Sequence, residues 1–260
     1  MATSTITPSA TTTDEGWSRR RLGRIVLAVT GNILAFMALF QLYKMVRRTF
    51  IQRGETLGYA NAEEIIRWQK ALHAYFELDL QQWVIQHEWL ITIFNYYYAY
   101  FMWTFYACCV IGIIFAPIKY RRLRRVFLCS MLFALPWYAI YPLAPPRFMT
   151  GEGFIDTLAV YGPNYFSEEG LVAANRFAAM PSMHIGWSTI GAVIVGVSLT
   201  RWRIGWILAV FHVAIMCLTV MVTGNHWWLD IVGGWAVILA SFLAARLLPD
   251  DLPLPWRHRT

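Results

Sequence analysis

Six stretches of this chain, roughly 25–43, 90–116, 126–142, 184–200, 204–222 and 229–247, are long apolar runs. A helix that crosses a bilayer needs about 20 mostly apolar residues. Inside hydrocarbon every backbone N–H and C=O must be satisfied within the segment or its barrel, and single runs of this length do so as helices. Composition agrees: 58% of residues are hydrophobic and 14% charged, against about 25% charged in soluble domains. The chain therefore reads as an all-α, polytopic membrane protein with six transmembrane helices. Its net charge of +7 does not indicate nucleic acid. The arginines cluster beside apolar runs, where they meet lipid headgroups and set orientation. Cys108, Cys109, Cys129 and Cys217 lie in or beside those runs and form no metal-ligand or disulfide pattern.

Residues 1–18 read as a disordered cytoplasmic tail and 19–54 as a first transmembrane anchor introduced by Arg19, Arg20, Arg21 and Arg24. In 55–88, Trp68, Leu72, Phe76 and Leu80 recur at steps of four. That predicts an amphipathic helix on the membrane surface. Residues 89–248 form the transmembrane core, and 249–260 a cytoplasmic tail. Lys119, Arg121, Arg122, Arg124 and Arg125, then Arg201 and Arg203, then Arg246, Arg257 and Arg259 fall on one side of a six-span topology. By the positive-inside rule that side is cytoplasmic. Lys44, Arg47, Arg48 and Arg53 run against this orientation, but three separate loops support it. The long connection 143–183 then lies outside, and Arg147, Arg176, His184, His226 and Asp230 meet at that outer face.

Ionisable groups at the edge of a span point to function. Asp230 follows His226 by four residues. It is either a helix-start carboxylate favoured by the dipole or the group that holds one ring nitrogen of His226. The second is favoured, because His226 sits at the matching turn. A neutral imidazole nitrogen can attack phosphorus and form a phosphoramidate. His184 follows Pro181-Ser182, a helix-start signal. Backbone N–H groups there can receive a phosphate, with His184 beside it as general acid. Arg147, stiffened by Pro145 and Pro146, and Arg176 are candidate phosphate cations. His73, His87, His212 and His258 are assigned no chemistry.

At these residues the chain resembles the type 2 phosphatidic acid phosphatase (PAP2) superfamily. Its motifs are Lys-x6-Arg-Pro, Pro-Ser-Gly-His and Ser-Arg-x5-His-x3-Asp. Pro181-Ser182-Met183-His184 matches the second with Met183 for glycine, His226-x3-Asp230 matches the end of the third, and Arg147 corresponds to the first-motif arginine. Ala-Pro-Pro-Arg, Met-Pro-Ser-Met-His and Gly-Asn-His-x3-Asp look closest to the inositol phosphorylceramide synthase-like branch. The resemblance implies a six-helix PAP2-like bundle that needs no metal or other cofactor. His226 would be the phosphohistidine-forming nucleophile, Asp230 its orienter and His184 the proton donor. Arg147 and the Ser182 region would bind phosphate.

The first-motif lysine position is Ile140 and the third-motif arginine position is Val220. Arg176 is a candidate replacement for one cation, and Asn225 a neutral donor. A phosphate with less charge, as in a phosphodiester, fits that loss. The expectation is a multi-pass protein of a bacterial plasma membrane, acting on a lipid phosphate, diphosphate or phosphodiester at the extracytoplasmic face. Its partners would be membrane lipids and, for transfer, an alcohol or polyol acceptor. Three other readings stay open from the residues: a bis-histidine haem protein, a metal site of His184, His226 and Asp230, and a lipid-phosphate transporter.

Overall fold

The computed structural model describes residues 54–163, 177–199 and 203–248, with isolated positions between 22 and 42. The first predicted span, 25–43, is described only at scattered positions, and residues 1–21 and 249–260, Arg176 and Arg201 lie outside the described residues. Numbered from Gly54, the helices are α1 (Gly54–Ala71), α2 (Glu77–Ile85), α3 (Glu88–Ala99), α4 (Phe101–Phe115), α5 (Pro117–Ile140), α6 (Thr157–Tyr161), α7 (Met183–Ser198), α8 (Arg203–Val222) and α9 (Trp228–Leu247). Among the described residues there is no strand, only a single bridge between Leu143 and Ala178.

Three helices, α5, α8 and α9, are long and apolar enough to cross a membrane. The run 90–116 is not one straight helix: α3 and α4 meet at Tyr100 with a 56° bend, which makes a fourth candidate span if the pair counts as one. The fourth predicted run, at 184–200, is a shorter apolar helix, α7, of 16 residues. The described residues thus hold three or four candidate spans in place of the five expected there. The basic cluster 119–125, expected in a loop, lies inside α5. Pro117 starts that helix, and lysine and arginine then propagate it well.

Short α7 is the hub. It packs against α4, α5, α8 and α9, and Trp187, Ile190 and Ile194 join Phe105, Phe127 and Met216 in the main core. Its start approaches α9 so closely that a Cβ on Gly234 would stand 2.4 Å from the Ser182 carbonyl oxygen. Small residues permit such contact where lipid supplies no hydrophobic drive between helices.

The single amphipathic helix expected over 55–88 is two helices, α1 and α2, broken at residues 72–76. Their packing keeps part of the amphipathic pattern, with Ile65 and Ile66 buried and Glu63, Arg67 and Lys70 exposed, and departs from it elsewhere. Trp68, Leu72 and Phe76 are exposed, while Asn61, Gln69, Glu77 and Gln81 are buried. With Leu143, Phe154, Phe177 and Trp227, the buried apolar residues of α1 build a second core at one end of the bundle.

Candidate active site

Two helix starts converge at that end. Ser182 caps α7, its hydroxyl accepting from the Ile185 N–H, while its own N–H donates to the Asp230 carbonyl at 2.9 Å. Trp227 precedes α9, and its N–H donates to Asp230 Oδ2 at 2.8 Å. Asp230 therefore is the helix-start carboxylate of one sequence reading. It also meets the other, because the same oxygen lies 3.4 Å from His226 Nδ1. His226 is not on the helix with Asp230. It sits just before the cap, and a reciprocal first-turn geometry, not a shared helical face, brings the two together.

A second group orients His226 more closely. Its Nδ1 lies 2.7 Å from the Ala179 carbonyl oxygen. A carbonyl only accepts, so Nδ1 carries the proton and the neutral ring keeps its lone pair on Nε2. That nitrogen points at His184, 3.3 Å from its Nδ1. The His184 ring in turn stacks on Tyr98, with centroids 4.3 Å apart, and tilts against Phe101 at 5.2 Å.

Arg147 lies against the Gly224-Asn225 turn that precedes His226 and is buried to 4% exposure. Its backbone N–H donates to the Gly224 carbonyl at 2.8 Å. Gly224 has φ +66°, and a Cβ there would press on the Arg147 backbone nitrogen, so the turn before His226 needs a residue that tolerates the left-handed region. The Arg147 guanidinium donates to Asn225 Oδ1 and stands 3.6 Å from Asp156 Oδ2. Asn225 sends its amide donor to the Thr223 hydroxyl at 2.8 Å. Thr223 accepts from Thr157 through its carbonyl, and Thr157 pairs with Asn95. Asn225 is thus engaged in aiming Arg147, and Ser182 in closing α7.

The structure brings together His184, Ser182, Asn225, His226, Asp230 and Arg147; Arg176 lies outside the described residues. Tyr98, Asn95, Thr157 and Glu77 were not legible as site-building residues. Tyr98 sits in a run of three tyrosines that reads as an aromatic belt. Glu77 and Gln81 share one face of α2 at a four-residue step, a pattern that ordinarily marks a solvated face. In fact Glu77 is fully buried. Burial pushes its carboxyl above the ordinary carboxylate range, while hydrogen bonds from Trp228, Gln69 and Phe76 act in the other direction.

Asp230 and His184 lie on opposite edges of the His226 ring, so one ion cannot take all three as ligands. Among the described residues no group of three His, Cys, Asp or Glu side chains could hold a metal. The 3.3 Å approach of the two rings also leaves no room for a porphyrin plane between them. His212 has found a partner that its sequence context does not show, the Tyr97 hydroxyl at 2.6 Å.

An all-helical, membrane-type bundle with a paired-histidine and arginine site at one end defines the class. The PAP2 superfamily profile matches residues 63–244, and the chain belongs to that superfamily. The chain is 27% identical over 139 residues to a phosphoinositol dihydroceramide synthase of Bacteroides thetaiotaomicron, covering 48% of this chain and 45% of that one. It is 27% identical over 135 residues to the catalytic subunit of inositol phosphorylceramide synthase of Schizosaccharomyces pombe, covering 48% of this chain and 29% of that one. The match thus spans less than half the length of either relative. No solved structure gives a match.

Proposed function

We propose that the protein is a membrane lipid phosphotransferase or phosphatase that works through a phosphohistidine on His226. The observation that carries this reading is the tautomer: Nδ1 is held by the Ala179 carbonyl, so Nε2 is the free base that faces the site. Nε2 attacks phosphorus, the P–O bond to the leaving group breaks, and His184 gives that oxygen its proton. His184 then takes a proton from water or an alcohol, whose oxygen displaces His226 and restores the free ring. Asp230 stabilises positive charge on the ring as the N–P bond forms. Arg147, aimed by Asn225, holds the phosphoryl oxygens, with the first turn of α7 as further donor.

The missing cations support a phosphodiester donor. Val220 is fully buried in the main core and Ile140 is 76% exposed, so neither family position sends charge to the site. With the two relatives named as synthases of phosphoinositol dihydroceramide and inositol phosphorylceramide, head-group transfer from a phosphodiester lipid to an alcohol is the reading supported best. We put the site on the extracytoplasmic face of a bacterial plasma membrane, with α1 and α2 interfacial; the basic residues at the far ends of α5, α8 and α9 support that side.

The test incubates purified protein and His226→Ala with matched lipid mono- and diesters, with and without chelator, and follows products by mass spectrometry. Diester turnover that survives chelation and falls at least about 1,000-fold in the variant is expected. Strong preference for monoesters would overturn the diester assignment. Turnover that persists in the variant would remove the histidine mechanism.

A further inference from the structure

Residues 227 and 228 are clamped from four sides. The Trp227 N–H goes to Asp230, and its indole N–H to the Ala144 carbonyl at 3.0 Å. The Trp228 indole N–H goes to the Ala74 carbonyl at 2.8 Å, and its backbone N–H to Glu77 Oε1 at 3.0 Å. Glu77 also accepts from the Gln69 side-chain amide and, through Oε2, from the Phe76 N–H. One fully buried carboxylate thus ties α1 and α2 to the first turn of α9.

A buried carboxylate is costly unless its bonds achieve something a smaller or apolar side chain would not. Here it holds the backbone amide that lies two residues after His226 and two before Asp230. Asp230 has only one engaged carboxylate oxygen; its Oδ1 is buried without a hydrogen bond. Its alignment on His226 therefore depends on where the start of α9 is held. Glu77 is also out of reach of any substrate, at 0% exposure.

We propose that Glu77 is a positioning residue for the reaction at His226: by binding the Trp228 N–H it fixes the first turn of α9, and so the register between His226 and Asp230. The inference rests on the histidine mechanism proposed above. It separates reach from charge. Glu77→Gln keeps the length and, with its carbonyl oxygen in the place of Oε1, the acceptor for both Trp228 and Gln69, and gives up only the acceptor of the Phe76 N–H. Glu77→Asp keeps the charge and falls short by one methylene.

The experiment uses the full chain in lipid nanodiscs, with the folded fraction set by gel filtration. Misplacement by about 1 Å can cost up to about 100-fold in rate, so Glu77→Asp should lower kcat at least about tenfold with KM within about twofold. Glu77→Gln should stay within about threefold of wild type. Independently of turnover, ring-nitrogen NMR of histidine-labelled protein, with His226 assigned by its loss in His226→Asn, should show the Nδ1–H signal unchanged in Glu77→Gln and displaced in Glu77→Asp. An unchanged His226 signal and kcat in Glu77→Asp, a loss lying in KM, or an equal fall in Glu77→Gln would overturn the proposal. Failure of the histidine mechanism shows separately, as wild-type turnover that His226→Ala does not remove, and leaves the NMR arm to decide whether Glu77 sets the ring.

Discussion

Helices α8 and α9 and helices α1 and α2 both expose apolar side chains, but for opposite reasons. In α8, Ile207, Val210 and Phe211 face outward while Met216 and Val220 face the core; both sides are apolar, as suits a helix set in lipid. In α1, α2 and the break between them, Trp68, Leu72 and Phe76 face outward, while the polar Asn61, Gln69, Glu77 and Gln81 face inward beside Ile65 and Ile66. There hydrophobicity alone does not sort inside from outside. Buried hydrogen-bonding groups add to the sorting. Asn61 holds the Pro142 carbonyl, and Gln81 joins Ile155 to Val222. These bonds fasten the end helices to the loops that carry Arg147 and His226.

The comparison predicts that polar substitutions at the site end outweigh apolar ones in the bundle. The largest effect falls on Arg147→Ala. Loss of an aimed donor to the reacting phosphate should lower kcat by about 100-fold or more, read in the diester assay at matched folded fraction. Next is Gly234→Ala, whose methyl group would press on the Ser182 carbonyl. Crowding at a packed contact costs about 1–3 kcal/mol, so thermal unfolding in nanodiscs should fall and activity with it, since both helix starts move. Gln81→Leu should cost about 1–2 kcal/mol by taking the acceptor from the half-buried Ile155 N–H and the donor from the Val222 carbonyl, whereas Val210→Leu, on the outward face of α8, should stay within about 0.5 kcal/mol. Equal effects of these two would break the comparison.

The smallest effect is a pH dependence. Burial raises the Glu77 carboxyl above its ordinary value of 4.5. The folded state therefore binds this proton more tightly than the unfolded chain does. Stability from this group is fully present below the ordinary value and is lost as pH rises through the raised one. Melting temperature should decline over that window in wild type and decline less in Glu77→Gln. A wild-type profile that rises there instead would show the hydrogen bonds outweighing burial.

Much of the site was legible from the chain because its parts carry sequence signals. Pro181-Ser182 starts α7, and the four-residue step from His226 to Asp230 marks the pair, although the fold joins them across the cap and not along one helical face. The helical class followed from the apolar runs. Span counting was less secure. A run such as 90–116 reads as continuous while its backbone bends at Tyr100, and α7, with 16 residues, falls just short of a spanning length.

The sequence by itself determined an all-helical, membrane-type chain and singled out His184, His226, Asp230 and Arg147 as candidates for its chemistry, since periodicity, apolar length and local turn chemistry are properties of neighbours along the chain. Tertiary structure alone decided which partner each would have. The Ala179 carbonyl sets the His226 tautomer from 47 residues away, Tyr98 stacks on His184, and Glu77 reaches the start of α9 across 151 residues. Such partners carry no mark in their own sequence: a carbonyl looks alike at every residue, and a glutamate on a helix face reads as solvated until the fold buries it.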